Sequence, residues 1–358
     1  MHKNKILAAM AVVVAMAVAL GIYFLTEKQP QNFLYIYTWA DYISPDVVAQ
    51  FENENSCRVV IDTFEDNETM LAKMVAGKSG YDIIFPSSYI TPVMKRQGLI
   101  QKLDMNRLTN VIANLDRKYE GLLHEDSLVY SVPYAFSITG IAYRKDKVDE
   151  TRLAHSWSDL MNPMFSGRVC MMRDMREVLG MGLRMQGASI NCIDETVLSA
   201  ACNYAVEVKR AAKCLDNEAY KPGLLSGDFY AAMGYNSDIL QILDENEDAE
   251  IEFYIPKEGT TCCWDEMVIN THSRNVDLAY RFINFLYDGQ VAAVNMKMVC
   301  STMPNKAMFK YLDEEDKKNP YINPTPELLA AGELIKDVGE NISKFQKAWD
   351  RFTSARTK

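Results

Sequence analysis

Histidine is scarce in this chain, and only four of its 358 residues are histidines. The motifs G-x-S-x-G and H-E-x-x-H are missing, and so is a glycine-rich phosphate loop. Two close carboxylates could still serve a glycosidase, which is the enzymatic alternative. Without the other motifs we expect a protein that is not an enzyme and that uses no cofactor. The histidines lie away from the acidic and aromatic positions described below: His2, His124, His155 and His272.

An excess of basic residues is also absent. The chain has 38 Lys and Arg against 48 Asp and Glu, which gives a net charge of −10. A general nucleic-acid-binding protein needs a basic face, so this balance argues against nucleic acid as a partner. It is compatible with cationic ligands, although a net charge does not identify one. The length is enough for two domains, and the 48% of hydrophobic residues suits a globular protein.

The eight cysteines lack the spacing of a metal site. No pair has the C-x-x-C spacing, and we expect no bound metal. We expect most of the thiols to be free and buried, as small apolar side chains. In an exported protein the alternative is a structural disulfide among Cys192, Cys202 and Cys214.

The N-terminal residues 1–29 have the pattern of an export signal. Lys3 and Lys5 precede an apolar run over residues 6–25, which is long enough to span a bilayer. Residues 17–19, Ala-Val-Ala, suit a signal peptidase, but cleavage there would leave an apolar new terminus. We therefore favour an uncleaved membrane anchor over a cleaved signal peptide. No cysteine precedes Cys57, which excludes a lipid-modified N-terminal cysteine, and either alternative places the protein in the periplasm.

Residues 33–42 predict the first strand of an α/β fold. Their apolar and aromatic side chains suit a buried strand, and Ser44 and Pro45 then begin a helix. Strand and helix patterns alternate along the rest of the chain, which is typical of parallel β-α-β units. The patterns also predict a loop over residues 259–265 and one long helix over residues 277–299.

Aromatic and acidic side chains repeatedly follow the ends of predicted strands, where ligands bind in open α/β sheets. A diamine or polyamine needs both kinds of side chain. Carboxylates offset the cost of burying each ammonium group, and rings flank the methylenes and attract the cations. We therefore predict a site for an organic cation. The predicted site residues are Trp39, Asp41, Tyr42, Ser88, Tyr89, Asp174, Glu177, Tyr235, Asp238, Trp264 and Asp265.

The same residues also have a purely structural interpretation. Trp39 and Tyr42 could be core aromatics, and Asp174 and Glu177 could favour the dipole of a helix that begins there. The repetition favours a binding site, because independent core aromatics need not each be followed by an acid.

These segments resemble the bacterial periplasmic spermidine/putrescine-binding proteins of polyamine ABC transporters. The similarity runs from about residue 33 to the C-terminus, and its motifs are fairly specific to polyamine binders. The motifs are Leu34-Tyr35-Ile36-Tyr37-Thr38-Trp39-Ala40-Asp41-Tyr42, Asn67-Glu68-Thr69-Met70, Tyr81-Asp82-Ile83-Ile84-Phe85-Pro86-Ser87-Ser88, Arg176-Glu177-Val178, Ile255-Pro256-Lys257-Glu258-Gly259 and Asp337-Val338-Gly339.

The resemblance implies a two-lobed α/β fold of the periplasmic-binding-protein type II class. Two mixed sheets flanked by helices would enclose a ligand cleft between the lobes. Lobe 1 would comprise residues 30–138 and 265–309, and lobe 2 would comprise residues 139–264 and 310–358.

The resemblance also implies a role for each site residue. Rings would come from Trp39, Tyr42, Tyr89 and Tyr235, ammonium acceptors would be Asp41, Glu177, Asp238 and Asp265, and Ser88 would lend a hydroxyl. Asp174 matches an acidic position of the spermidine type, and Asp238 matches one of the putrescine type.

Three positions depart from the family pattern. Cys263 and Ser301 stand where an aromatic is expected, and Ile335 stands where a polar residue is expected. Trp264 would fill part of the space at position 263. These changes remove a ring wall and a polar contact, which leaves putrescine favoured with spermidine close behind.

The resemblance implies a monomeric receptor that closes around a polyamine and delivers it to an ABC permease. Two alternatives remain open. The same fold could bind another cationic solute, such as an amino acid or a quaternary amine, or the chain could be the ectodomain of a sensor.

Overall fold

A computed structural model of the chain describes residues 32–77, 79–246 and 248–356. The predicted signal peptide or anchor over residues 1–29 lies outside the described residues. Within the described ranges, no helix combines the length and the apolar character that crossing a membrane requires.

The chain alternates strands and helices, as predicted. The strands are β1 (Asn32–Thr38), β2 (Cys57–Thr63), β3 (Ile83–Ile84), β4 (Val132–Arg144), β5 (Val169–Met171), β6 (Cys214–Leu215), β7 (Ala231–Tyr235), β8 (Ile251–Tyr254), β9 (Thr260–Ile269) and β10 (Gly332–Leu334). The helices of the first part are α1 (Pro45–Asn55), α2 (Asn67–Val75), α3 (Thr91–Arg96) and α4 (Thr109–Asn114). The later helices are α5 (Met175–Met185), α6 (Glu195–Ala211), α7 (Tyr220–Ser226), α8 (Asn236–Glu245), α9 (Val276–Leu286), α10 (Gly289–Val299), α11 (Glu314–Lys318), α12 (Pro326–Ala331) and α13 (Ile342–Ser354).

The strands form a mixed sheet in the order β2-β1-β3-β9-β4-β7-β5-β6, with β10 beside β9 and β8 beside β4. At one end β1 is parallel to β2 and β3, and at the other β5 is parallel to β6 and β7. Strands β4 and β9 run antiparallel between these parallel groups. The sheet structure is mixed, as expected. Strands β9 and β4 join the two parallel groups into one continuous sheet.

Strand β4 makes this connection because its two halves have different partners. The half from Val132 to Ile138 pairs with β9, whereas the half from Thr139 to Arg144 pairs with β7 and β8. One long strand, Val132–Arg144, therefore passes from one parallel group to the other.

Separate hydrophobic cores lie on either side of this connection. One core packs β1 against α1, α9 and α10 and includes Ile36, Phe51 and Phe282. Another packs α5, α6 and α13 together and includes Leu179 and Phe345. Each set of helices covers its own part of the sheet, which leaves the boundary between them for a cleft.

Two predictions of secondary structure in the C-terminal half of the chain are wrong. Residues 260–265 belong to β9 rather than to a loop, and all ten residues of β9 are buried. The predicted long helix is two helices, α9 and α10, which are separated at Tyr287 and Asp288. Asp288 begins the second helix because its Oδ1 accepts the backbone N–H groups of Gln290 and Val291.

All eight cysteines are free thiols, and six of them are buried. Cys192 and Cys214 are partly exposed, while Cys202 is buried against α13, where its Sγ lies 3.2 Å from the carbonyl oxygen of Ala348. The alternative disulfide among these three residues is not formed in the structure.

Candidate ligand-binding site

A cavity of about 90 Å³ lies where the two parts of the chain meet. Trp39, Tyr42 and Tyr89 reach it from segments that precede β4, and Glu177 and Tyr235 reach it from segments that follow β4. Of the described side chains that line the cavity, six are carboxylates and one, Lys221, is an amine. The cavity is therefore an acidic site with aromatic walls.

Asp265 is held in the middle of β9 by hydroxyl groups from two separate segments. The phenol of Tyr42 donates a hydrogen bond to Oδ2 at 2.5 Å, and the hydroxyl of Ser87 donates one to Oδ1 at 2.7 Å. Burial raises the pKa of Asp265 to about 6, although these two hydrogen bonds oppose the rise. The carboxylate is thus oriented by its neighbours and is costly to ionise without a cation beside it.

Asp174 and Glu177 occupy the first turn of α5. Asp174 is the N-cap, and its Oδ1 accepts the backbone N–H groups of Arg176 and Glu177 at 2.9 and 3.0 Å. The structural interpretation of Asp174 is therefore correct, but its side chain also lines the cavity. It serves both as a helix cap and as part of the acidic wall.

Glu177 is buried, and hydroxyl groups hold it against the sheet. The hydroxyl of Thr139 donates to Oε2 at 2.7 Å, and the hydroxyl of Thr261 donates to the same oxygen. Burial, followed by the charge of Asp174, raises the pKa of Glu177 to about 7. Near neutral pH this side chain can therefore gain or lose a proton when a cation approaches.

Aromatic rings form walls around these acids. The ring of Trp39 packs on Phe64 with their centroids 4.3 Å apart, and the ring of Tyr42 packs on Tyr134 at 5.3 Å. The phenol of Tyr89 accepts a hydrogen bond of 3.1 Å from the side-chain amide of Asn67. Neighbouring side chains thus fix the orientation of the rings, which suits flat contact with an aliphatic chain.

A second acidic group surrounds Lys221. Asp238, in the first turn of α8, accepts a hydrogen bond from the phenol of Tyr220. The Nζ of Lys221 lies 3.4 Å from Oε2 of Glu218 and 3.7 Å from Oδ2 of Asp41. Burial raises the pKa of Asp238, and the charge of Lys221 opposes that rise. This part of the cavity therefore contains its own positive charge.

The profile of the bacterial extracellular solute-binding proteins matches residues 46–320, which is more than three quarters of the chain. The chain belongs to this family.

Relatives of this solute-binding protein have names that describe polyamine binding. A putrescine/cadaverine-binding protein of Pseudomonas aeruginosa is 32% identical over 329 residues, covering 88% of this chain and 92% of the relative. A spermidine/putrescine-binding periplasmic protein of Escherichia coli is 30% identical over 341 residues, covering 95% and 97%. The resemblance to the spermidine/putrescine-binding proteins is thus confirmed.

A solved structure shows the same architecture. The lipoprotein TpPotD of Treponema pallidum superimposes with a TM-score of 0.81 at 31% identity, covering 90% of this chain and 99% of that one. The two-lobed α/β fold predicted for this solute-binding protein is therefore confirmed.

The structure brings most of the predicted site residues of the solute-binding protein together at the cavity. Those that line it are Trp39, Tyr42, Tyr89, Asp174, Glu177, Tyr235, Asp238 and Asp265. They come from five separate segments of the chain, so their convergence depends on the fold and not on a local motif.

Trp264 does not line the cavity, and its predicted place there is wrong. Successive side chains of a strand point to opposite faces, and Cys263 and Asp265 face the cavity. Trp264 therefore faces the other way, where only 1% of it is exposed and where it packs on Tyr119 and Phe136. It cannot replace the aromatic side chain that is missing at position 263.

Ser88 and Asp41 lie beside the cavity rather than in its wall. Ser87, one position earlier than predicted, lines the cavity and donates to Asp265, whereas the Ser88 hydroxyl lies 3.5 Å from Sγ of Cys263. The side chain of Asp41 is 59% exposed and contacts Lys221. Asp41 lies in a turn and has a positive φ of 50°.

The three departures from the family pattern have different surroundings. Cys263 and Ile335 line the cavity, so both changes alter its wall. Ser301 is buried instead, and its hydroxyl donates a hydrogen bond of 2.5 Å to the carbonyl of Phe136. The change at position 301 therefore acts through the packing around β4.

Several polar residues of the cavity were not predicted from the sequence. The side-chain amide of Asn67 donates to both Ser87 and Tyr89, at 3.0 and 3.1 Å, so Asn67 orients two residues of the wall. Asn67 lies in one of the motifs that carry the resemblance, which was a usable signal. Nothing in the sequence distinguished the others: Glu65, Ser137, Asn217, Glu218, Lys221, Ser237 and Gln241.

Proposed function

We propose that this solute-binding protein captures polyamines, putrescine or spermidine or both, outside the cytoplasm and delivers them to an ABC permease. The observation that carries the proposal is the acidic cavity wall, in which six carboxylates stand against one amine. Buried carboxylates are stable when a cation is paired with them, and a polyamine supplies ammonium groups joined by apolar methylenes. The names of the relatives support the same ligand class.

Each part of the wall would contact a different part of the ligand. Asp265, Asp174 and Glu177 would receive one ammonium group, and Asp238 would receive another. Trp39 and the tyrosine rings would enclose the methylenes and add cation–π attraction. No group of the ligand needs to react, so the proposed protein is a receptor and not an enzyme.

We further propose that the cleft closes as two lobes move about β4 and β9. Lobe 1 would comprise residues 30–138 and 265–309, and lobe 2 would comprise residues 139–264 and 310–358. Asp265 on one side and Glu177 on the other would then come together on a bound polyamine. The closed form, acting as a monomer in the periplasm, would be the one that the permease recognises.

The direct test is thermal unfolding of the purified protein with putrescine, cadaverine, spermidine, lysine and choline in turn. A ligand at 100 times its dissociation constant adds about 2.7 kcal/mol to the free energy of unfolding. We expect a clear rise in the melting temperature with putrescine or spermidine and none with choline. A rise with choline or lysine alone would reject the polyamine, and no rise with any ligand would reject the receptor itself.

The two tryptophans near the site should respond differently to substitution. Trp39→Ala removes a ring wall, and we expect putrescine affinity to fall by about 10-fold, because a buried cation–π contact contributes about 1–2 kcal/mol. Trp264→Phe should lower the melting temperature without ligand, because Trp264 is a core residue, and should change the affinity by less than about threefold. Isothermal titration and a melting curve on each variant measure both quantities. A larger affinity loss in Trp264→Phe than in Trp39→Ala would contradict the geometry.

A further inference from the structure

Lys221 places an ammonium group inside a cavity whose other charged lining groups are acidic. It lies on α7, next to Tyr220, and only 15% of its side chain is exposed. Its Nζ approaches Glu218 at 3.4 Å and Asp41 at 3.7 Å, so it bridges a residue before β4 and a residue after β4. Although burial alone would lower the pKa of Lys221, Asp238, Glu218 and Asp41 raise it above its usual value. The side chain is therefore cationic at neutral pH.

The acids of the cavity form two groups, and Lys221 belongs to one of them. Burial is the largest influence on the pKa of Asp238, which it raises, and the charge of Lys221 is the next influence and opposes the rise. Burial is also the largest influence on the pKa of Glu177, followed by the charge of Asp174, and both raise it. Arg176 is also near Glu177, but it does not line the cavity, and its guanidinium donates to Asn191 and to the carbonyl of Lys336. Among the described lining residues, a ligand ammonium at the Glu177 end therefore meets no cation, whereas one at the Asp238 end shares Asp238 with Lys221.

We propose that Lys221 determines ligand length, so that the site takes short aliphatic diamines and rejects longer polyamines with a third ammonium. This inference rests on the proposed polyamine function and narrows its ligand class. Lys221 lines the same cavity as Asp238 and is paired there with Glu218 and Asp41. A third ammonium would meet a like charge there and would also displace an ion pair that is already made.

The lining of the cavity offers few further partners to a longer ligand. Its volume of about 90 Å³ is below the range of about 300–1,000 Å³ for sites that hold drug-sized molecules, which suits a small solute. Cys263 and Ile335 add no polar group that could receive an extra ammonium at another part of the wall. A diamine with one ammonium near Glu177 and the other near Asp238 uses both acidic groups and leaves Lys221 in place.

The experiment compares putrescine and spermidine affinities by isothermal titration in the wild type and in Lys221→Met. Methionine keeps an unbranched apolar side chain and removes the charge. We expect the wild type to bind putrescine at least tenfold more tightly than spermidine. In Lys221→Met we expect the ratio to move at least tenfold toward spermidine, because the acids around position 221 then lack their own cation.

Lys145→Met is the matched control. Lys145 also lies between two acids, Glu250 and Glu252 at 3.9 and 3.2 Å, but it does not line the cavity. We expect Lys145→Met to have the same ratio of putrescine affinity to spermidine affinity as the wild type. An equal change in both variants would overturn the proposal, because it would show a general effect of net charge.

The outcomes separate this inference from the proposed function. If the wild type binds neither amine, the polyamine function fails and the inference fails with it. If the wild type binds both and the ratio is unchanged in Lys221→Met, only the role of Lys221 is overturned. If Lys221→Met is too unstable to titrate, Lys221→Gln and a wild-type series from 1,3-diaminopropane to spermidine replace it. A continuous rise of wild-type affinity up to spermidine would then overturn the proposal.

Discussion

Asp265→Asn is expected to lower the affinity for putrescine by at least about 100-fold. Removing one partner of a buried, hydrogen-bonded charge pair costs about 2–5 kcal/mol, and about 2.8 kcal/mol corresponds to 100-fold in affinity. Asparagine keeps the size of the side chain and can still accept from Tyr42 or Ser87, so the loss reports the charge and not the shape. Isothermal titration at pH 8 measures the effect.

The same substitution should leave the ligand-free protein at least as stable as the wild type. Burial raises the pKa of Asp265 to about 6, so the ionised carboxylate destabilises the ligand-free fold at pH 8, and asparagine removes that cost. Asp277→Asn, which alters an acid whose side chain is 82% exposed, is the control and should bind normally. Normal binding of putrescine by Asp265→Asn would show that the ligand does not pair with the carboxylate of Asp265.

Affinity for putrescine should fall steeply between pH 8 and pH 5. Both ammonium groups of the ligand stay charged in this range, whereas Glu177 and Asp265 gain protons as the pH falls through about 7 and about 6. If only the ionised carboxylates bind, they must lose their protons before putrescine binds at low pH, which lowers the affinity by at least about tenfold at pH 5. Titration at several pH values measures this loss.

The ligand-free protein should show the opposite dependence on pH. A carboxyl whose pKa is higher in the folded state holds more protons there than in the unfolded state, so stability falls as pH rises from about 4 to about 7. The rise in melting temperature caused by putrescine should consequently grow over the same range. In Glu177→Gln the affinity should depend less on pH between 8 and 6. An affinity that is constant from pH 8 to pH 5 would contradict the role of both carboxylates.

The alternation of apolar strands and helices was sufficient to predict the α/β fold. The wrong predictions fell in segments whose local sequence patterns were ambiguous. Residues 277–299 carry apolar side chains at helical spacing along their whole length, and the capping by Asp288 separates them into α9 and α10. Residues 260–265 contain a cysteine pair and small polar residues, which resemble a loop, but pairing with β4 makes them a central strand.

The site was predicted in part because acids and rings at strand ends are visible in a sequence. The direction of each side chain is not visible when the extent of the strand is misjudged. Trp264 was assigned to the wall because residues 259–265 were expected to be a loop, in which neighbouring side chains can converge. In a strand they alternate, so Asp265 faces the cavity and Trp264 faces the core.

The place of Lys221 in the cavity could not be predicted from the sequence for a different reason. Its role depends on the approach of Asp41 from a segment 180 residues earlier in the chain, as the difference between the two residue numbers shows. A lysine in the first turn of a short helix has no local feature that distinguishes it from a solvated surface residue. Only the tertiary contact makes it a candidate determinant of specificity.

The alternation of side chains in β9 also restricts how this protein can evolve. Substitutions at Cys263 or Asp265 can alter the cavity while Trp264 remains in the core. An inserted or deleted residue within β9 would exchange the two faces, turning the indole toward the ligand and burying the carboxylate among Tyr119 and Phe136. New ligand preferences should therefore arise in β9 by replacement of residues, and length changes should be confined to the loops that flank it.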